Sequence, residues 1–200
     1  MKKGLEEYNH TTVAALRVTI ASIFLLPFAF KYFASIEKKH WKYIIISGIL
    51  GNGIPAFLFT LAQTKIPSSI SGILNSLTPI FALIIGVLIF KRKTNYSNIA
   101  GVLIGLSGAI GLILSEGINL KNSNLSYSIF IIIATICYAF TVNIIKTYLK
   151  EVNSIAITAL AFLSIGPITM IYLIFGTSFF QNLGHTVSFL PLFQISILAI

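Results

Sequence analysis

Charged residues are scarce in this chain. Asp, Glu, Lys and Arg make up 10% of its 200 residues, against about 25% in soluble globular domains. Hydrophobic residues make up 56%, and the mean hydropathy is +0.92. A water-soluble globule needs more polar surface than so few charged residues can supply. A disordered chain has far fewer apolar residues than this one. The composition excludes a soluble enzyme and a disordered chain, and it predicts an integral membrane protein.

Acidic residues are the rarest charges. Five Asp and Glu stand against fourteen Lys and Arg, and none of the five lies in the middle of an apolar run: Glu6, Glu7, Glu37, Glu116 and Glu151. A membrane enzyme or a proton relay usually needs carboxylates inside the spans. The three histidines lack metal-ligand spacing, no P-loop motif occurs, and the single Cys137 has no disulfide partner. We therefore expect no catalytic residue, no metal and no cofactor.

Long apolar runs are what the chain has instead. A spanning helix needs about 20 mostly apolar residues. Six runs qualify, namely Thr12–Phe30, Tyr43–Ala62, Ile66–Phe90, Asn98–Leu114, Tyr127–Leu149 and Ile155–Gly176. A seventh begins near Val187 and is still apolar at Ile200. The predicted fold class is all-α, a polytopic transmembrane helical bundle.

The net charge of +9 is concentrated in alternate connections. In a soluble protein this excess would suggest a nucleic-acid partner, but membrane proteins concentrate Lys and Arg in their cytoplasmic loops. The first, third and fifth connections hold or adjoin Lys31, Lys38, Lys39, Lys42, Lys91, Arg92, Lys93, Lys146 and Lys150. The second and fourth hold Lys65 and Lys121. We therefore predict that the second and fourth connections lie outside the cell and that the first helix runs inward. We also predict that the protein binds no nucleic acid.

An internal repeat relates the two ends of the chain. A shift of 144 residues places Lys2, Glu7, Asn9, Ala15 and Leu16 on Lys146, Glu151, Asn153, Ala159 and Leu160. The first apolar run then aligns with the sixth, five crossings later. Repeats with an odd number of spans insert in opposite orientations, which is the inverted-repeat architecture of many secondary transporters.

Several short motifs, taken in order, resemble the EamA-type members of the drug/metabolite transporter superfamily. They are Ala14-Ala15-Leu16-Arg17 with Pro27, Gly51-Asn52 with Pro55 through Ala62, Ser71-Gly72-Ile73-Leu74 through Thr78-Pro79, and Gly101, Gly105 and Gly108. The resemblance covers nearly the whole chain and implies ten helices in two inverted halves of five. One departure is Phe90-Lys91-Arg92, which stands where the family often has an acidic residue closing its fourth helix.

The resemblance also implies a division of the chain. Residues 1–11 are expected to be an external segment, the tail of a missing first helix. Residues 12–117 would form the first EamA-like half with four helices. Residues 126–200 would form the second half, truncated to two helices and part of a third. As such a fragment, the chain is expected to insert in the membrane but to transport poorly alone.

Polar residues within the apolar runs are the candidates for a substrate cavity. Asn52 is the strongest, because Gly51 and Pro55 weaken the helix around it, and a broken helix beside an amide can line a transporter site. A packing amide at a structural kink is the alternative. Arg17 lies ~7 Å into its helix, where it is either an interfacial anchor or a cavity residue. The remaining candidates are Asn75, Thr78, Tyr138 and Asn143.

Small residues and prolines carry the structural predictions. Ser68, Gly72 and Ser76 recur every four residues, and Gly101 and Gly105 form a GxxxG pair. Both patterns favour close helix packing. The prolines that are predicted to kink helices are Pro27, Pro55, Pro79 and Pro167.

These patterns together predict a secondary transporter that moves a small metabolite by alternating access. Asn, Thr, Ser and Tyr in its cavity favour neutral or zwitterionic solutes. We expect a multi-pass protein of the cell (inner) membrane whose partners are the lipid bilayer and a small-molecule solute, and a homo-oligomer is compatible with the sequence. The rivals are a non-transporting membrane subunit or an inactive transporter fragment, and, less favoured, an intramembrane enzyme.

Overall fold

The computed structural model of the protein describes residues 9–115 and 125–177, and every regular element in these ranges is helical. The helices are α1 His10–Phe33, α2 Lys38–Gly48, α3 Ile54–Gln63, α4 Ser68–Asn75, α5 Thr78–Leu88, α6 Tyr96–Ser115, α7 Ser128–Tyr148 and α8 Ser154–Phe175. A π-helical turn, Ile49–Gly53, joins α2 to α3, and a 3-10 turn, Leu125–Tyr127, precedes α7. The predicted all-α fold is confirmed.

Five helical segments are long and apolar enough to cross a membrane: α1, α2 with α3 (Lys38–Gln63), α4 with α5 (Ser68–Leu88), α7 and α8. They coincide with the first, second, third, fifth and sixth predicted runs, and α6 covers the fourth. The predicted multi-pass membrane protein is confirmed. The seventh run, residues 1–8 and the connection containing Lys121 lie outside the described residues.

Apolar clusters at the two ends of the bundle show how α1 and α8 are oriented relative to each other. At one end, Ala29 near the end of α1 packs in a cluster with Ile44 of α2 and Ile157 near the start of α8. At the other end, Leu16 near the start of α1 packs with Leu173 near the end of α8. A helix pair whose opposite termini meet at both ends is antiparallel, so α1 and α8 run in opposite directions.

The cationic connections meet at one end of the bundle. The His40 ring, near the start of α2, lies 3.1 Å from the carbonyl oxygen of Tyr148 at the end of α7. Arg92, which follows α5, lines the same groove as Lys146 of α7. We call this the basic end. Lys65 lies at the opposite end, beside Ile66 in the cluster that holds the start of α4 and Ile131 of α7.

The most extensive helix contact among the described elements joins α1 to α8. The Thr19 and Thr169 hydroxyl oxygens are 3.0 Å apart, and Ser22 Oγ donates to the Phe162 carbonyl at 3.1 Å. A Cβ on Gly166 would overlap the side chain of Ser22. Small and hydroxyl residues at such a crossing allow close backbone approach and interhelical hydrogen bonds, the contacts that hold helices together in lipid.

The close approaches do not use the small residues that were predicted to make them. Ser68, Gly72 and Ser76 are exposed, and the buried face of α4 carries Ile70 and Ser71 instead. This buried face of α4 packs against α7, since Ile70 belongs to the same apolar cluster as Ile131 of α7. Gly101 and Gly105 of α6 likewise have no described atom within 4 Å of where a Cβ would lie. The close-packing glycines are Gly48, Gly51, Gly86 and Gly166.

Candidate functional site

The second span is interrupted at its middle by the π-helical turn. The N–H of Ile54 donates to the carbonyl of Ile49, five residues back. Pro55 has no N–H, so the carbonyl of Gly51 loses its usual helical donor. Gly51 also lets α7 approach, because a Cβ there would lie 2.8 Å from Thr141 Cγ2. The π-helical turn contains Gly51 and Asn52, and π-turns of this kind are frequent at functional sites.

The third span is interrupted at a comparable depth. Helix α4 ends at Asn75 and α5 begins at Thr78. Because Pro79 has no N–H, the carbonyl of Asn75 loses its helical donor. Thr78 Oγ1 replaces that donor at 2.7 Å. Pro79 therefore adjoins the break between α4 and α5, and a neighbouring hydroxyl satisfies the carbonyl that it frees.

The other two prolines lie in unbroken helices. Pro27 is inside α1 and Pro167 is inside α8, and both helices continue past them. Both prolines are exposed on the outer surface of the described bundle. Their predicted kinks stay a prediction, whereas Pro55 and Pro79 adjoin real interruptions.

Two adjoining cavities meet at the helix breaks, with volumes of about 270 and 490 Å³. Both are lined by Gly51, Asn52, Asn75 and Tyr138. We call the pair the central cavity. Its smaller part also reaches Arg17 of α1 and Phe59 of α3. Its larger part extends toward the basic end and is lined by Ser47, Thr78, Thr141 and Thr158.

The central cavity has several polar side chains in its lining and carries one sign of charge. Arg17 is the only charged side chain among its described lining residues. Arg17 lies close enough to Tyr138 for the two side chains to interact electrostatically. The Tyr138 ring also lies near that of Phe59, with 6.0 Å between the ring centroids. Five predicted site residues thus line one cavity: Asn52, Asn75, Thr78, Arg17 and Tyr138.

The sequence comparisons agree with this transporter-like geometry. The model of the EamA-like transporter family matches residues 1–114, more than half of the chain. The chain belongs to this family. Two of the relatives that the chain matches are named as uncharacterized transporters.

The EamA-like chain has relatives in plants, bacteria and archaea. A WAT1-related protein of Arabidopsis thaliana is 31% identical over 140 residues, which cover 62% of this chain and 37% of that protein. The uncharacterized transporter YoaV of Bacillus subtilis is 26% identical over 162 residues, covering 80% and 55%. An uncharacterized transporter of Archaeoglobus fulgidus is 24% identical over 159 residues, covering 80% and 55%. The chain therefore spans about a third to just over half of these relatives' length. No solved structure matches it significantly.

Asn143, the sixth predicted cavity residue, does not line the central cavity of the EamA-like chain. It is buried, and its Nδ2 donates to the carbonyls of Ala82 on α5 (2.8 Å) and Ala139 on α7 (2.9 Å). Gly86 makes room for it, because a Cβ there would lie 2.7 Å from Asn143 Oδ1. Asn143 therefore ties α7 to α5, since both of its amide hydrogens are committed to backbone carbonyls.

Ser47 is a cavity residue that the sequence reasoning missed. It is 2% exposed, lines the central cavity, and its Oγ has no hydrogen-bond partner among the described residues. A buried hydroxyl of this kind is destabilising unless a solute or water bonds to it. The available signal was spacing: Ser47 and Gly51 are four residues apart, so they share a helix face directed at α7.

Proposed function

We propose that this EamA-like protein is a secondary transporter of a small neutral or zwitterionic metabolite, with the central cavity as its substrate site. The observation that carries the proposal is the meeting of two mid-span helix breaks in one cavity. Asn52 adjoins the first break and Asn75 the second, and both line both parts of the cavity. Discontinuous helices at the midplane are the usual way in which transporters supply polar groups to a solute.

The cavity chemistry supports a solute with hydrogen-bonding groups. The amides of Asn52 and Asn75 each offer donors and an acceptor, and Ser47 lines the same space. Arg17 would pair with a carboxylate through two parallel hydrogen bonds. No acidic residue lines the described part of the cavity, so a solute whose only charge is positive is disfavoured.

The α1–α8 crossing supports alternating access between inverted halves. Ser22 and Gly166, which meet at the closest approach, are 144 residues apart, the same shift that relates the repeats. Contact between equivalent positions is expected where a pseudo-two-fold axis passes through two antiparallel helices. The helices also begin at equivalent points, after Asn9 and Asn153. We propose that the halves, residues 12–117 and 126–200, rock about this crossing in the cell membrane.

The test is solute flux into vesicles that contain the chain extended by the helices that the ten-helix resemblance adds, measured over a panel of neutral, zwitterionic, anionic and cationic metabolites. A transported solute should depend on Asn52. We expect Asn52→Ala to reduce flux per folded molecule about fivefold, the loss of one hydrogen bond of about 1 kcal/mol, with abundance nearly unchanged. If no solute in the panel crosses, the non-transporting alternative is favoured.

Asn143→Ala is the matched control, since it removes an equivalent amide from outside the central cavity. It should lower the free energy of unfolding, because two backbone carbonyls lose a donor, while flux per folded molecule stays at the wild-type value. Normal flux by Asn52→Ala would remove Asn52 from the substrate site and move the assignment to Asn75 and Thr78.

A further inference from the structure

A second cavity, about 600 Å³ in volume, lies between α5, α6 and α7 at the basic end. We call it the basic groove. Arg92, Lys93 and Lys146 line one part of it. The part that runs along the helices is lined mainly by apolar side chains and glycines, among them Leu83, Val87, Gly101, Val102 and Gly105, together with the polar Thr78 and Asn143. The groove is therefore amphipathic, with its charges at one end.

The three groove cations are not neutralised by described acids. The single ion pair among the described residues joins Lys39 Nζ to Glu37 Oε2 at 2.7 Å. Its hydrogen bond and charge hold the pKa of Glu37 below the ordinary value, so this carboxylate is already engaged with Lys39. Glu151 also lies within electrostatic range of Lys39. Neither acid lines the groove, which therefore keeps a strong positive charge.

Neutral donors surround these cations. Thr94, Ser97 and Asn98, at the start of α6, line the same part of the groove. The first backbone N–H groups of a helix have no partner within it, and the helix dipole adds partial positive charge there. Cations, hydroxyls and an amide beside a helix N-terminus together form a donor set that binds phosphate groups.

The rest of the groove has room for a hydrocarbon chain. A Cβ at Gly101 or Gly105 would meet no described atom within 4 Å. These two glycines lie one turn apart on α6, with Val102 beside them and Leu83 and Val87 of α5 also lining the groove. We call these five residues the apolar strip. It begins next to the cations and extends away from the basic end along the helices.

We infer that the basic groove binds an anionic phospholipid, with the phosphate headgroup at Arg92, Lys93 and Lys146 and an acyl chain along Gly101 and Gly105. A soluble phosphate ester carries the same phosphate group and could bind the same three cations. The apolar strip favours the lipid, because a soluble ester has nothing to place there. This site is distinct from the proposed substrate site, which it adjoins only at Thr78 and Val142.

Native mass spectrometry of the purified 200-residue chain in detergent tests the headgroup. Phosphatidylglycerol should bind more tightly than phosphatidylcholine with the same acyl chains. The triple variant Arg92→Gln, Lys93→Gln, Lys146→Gln should weaken phosphatidylglycerol binding about fivefold for each cation removed. The matched control Lys31→Gln, Lys38→Gln, Lys42→Gln removes equal charge from the same end but outside the groove, and it should bind as wild type. Equal weakening by both triples would overturn the inference.

Filling the apolar strip separates the two phosphate sources. Gly101→Leu with Gly105→Leu has space in the groove and improves helix propensity. It should abolish phosphatidylglycerol binding, whereas Gly72→Leu, at another open glycine, should not. If this variant binds phosphatidylglycerol as the wild type does and inorganic phosphate competes for the site, the acyl chain is not recognised. That result would assign the site to a soluble phosphate ester and overturn the inference of a lipid site.

Circular dichroism should show equal helicity for every variant in this series. If a triple variant is less helical, Lys146→Gln alone, at an exposed position, provides the comparison with Lys38→Gln. We expect about fivefold weaker phosphatidylglycerol binding for Lys146→Gln only, and equal binding by the two single variants would contradict the site.

Discussion

At the scale of single residues, glycines decide where these helices touch. A Cβ on Gly48 would lie 2.7 Å from the Ala161 carbonyl oxygen, and one on Gly166 would overlap Ser22. In lipid the hydrophobic effect does not drive helices together, so the close contacts that small residues allow supply much of the association energy. The same residue type at Gly72 meets nothing within 4 Å of a Cβ among the described residues.

Gly166→Ala should destabilise the protein. Its methyl group would overlap Ser22 at the α1–α8 crossing, and overpacking of this kind lowers the free energy of unfolding by about 1–3 kcal/mol. The measurement is reversible unfolding in mixed detergent micelles. Gly72→Ala is the control and should change stability by less than about 0.5 kcal/mol.

The exchange Ser22→Gly with Gly166→Ser tests whether overlap is the cause. It moves the one side chain from α1 to α8 at the same crossing, so it should recover most of the stability that Gly166→Ala loses. If Gly166→Ala is as stable as wild type, the two helices do not approach as closely as described.

At the scale of elements, two spans are each built from two short helices. Helix α3 has 10 residues and α4 has 8, lengths that are marginal for an isolated helix. Pro55 and Pro79 each remove a backbone donor at the junction. Packing against α7 holds the pieces in line, and the interruptions bring Asn52 and Asn75 into the central cavity.

Thr78→Val should weaken the α4–α5 junction. Valine keeps the shape of threonine but removes the hydroxyl that donates to the Asn75 carbonyl at 2.7 Å. Polar contacts in membrane helices are worth about 0.6 kcal/mol on average and at most about 1.7, so we expect a loss of about 1 kcal/mol in the free energy of unfolding.

Adding Pro79→Ala should restore this stability, because alanine returns the N–H that the Asn75 carbonyl lacks. The control is Thr158→Val. The Thr158 hydroxyl also donates to a backbone carbonyl, that of Ser154 four residues back (3.0 Å), but this carbonyl lies in a continuous helix that supplies its regular donor. Equal losses from Thr78→Val and Thr158→Val would show that the hydroxyl does not support the break.

At the scale of the whole molecule, alternating spans collect the cations at one end. Leu149 at the end of α7 packs with Ile44 in the first part of the second span and Ile157 near the start of α8, and this end of the bundle adjoins the cationic connections. Lys65 lies at the other end. Positive charge favours the cytoplasmic side of a membrane, which predicts the orientation of the entire bundle.

Single-cysteine labelling in a Cys137→Ala background tests this orientation in intact cells. Lys65→Cys should react with a membrane-impermeant thiol reagent added from outside, and Lys38→Cys should react only after the membrane is permeabilised. Labelling of Lys38→Cys from outside would reverse the assignment and place the basic groove on the outer side.

The sequence by itself determined the fold class, the spans and the positions at which a proline removes a backbone donor. These are local properties. Insertion as a helix depends on the summed hydropathy of about 20 residues, and a proline removes its donor whatever surrounds it. Asn52 and Thr78 were therefore recognisable from Pro55 and Pro79, and the order of short motifs was sufficient to suggest the family.

Only the tertiary structure decided which side chains of similar type share a cavity. Asn143 and Asn52 are both amides within apolar runs, yet Asn143 binds the Ala82 carbonyl whereas Asn52 lines the central cavity. Gly101 and Gly166 differ in the same way, because only Gly166 faces another helix at close range. Sequence position gives the depth of a residue in its span, but the rotation of each helix and the identity of its neighbour depend on how all the helices pack.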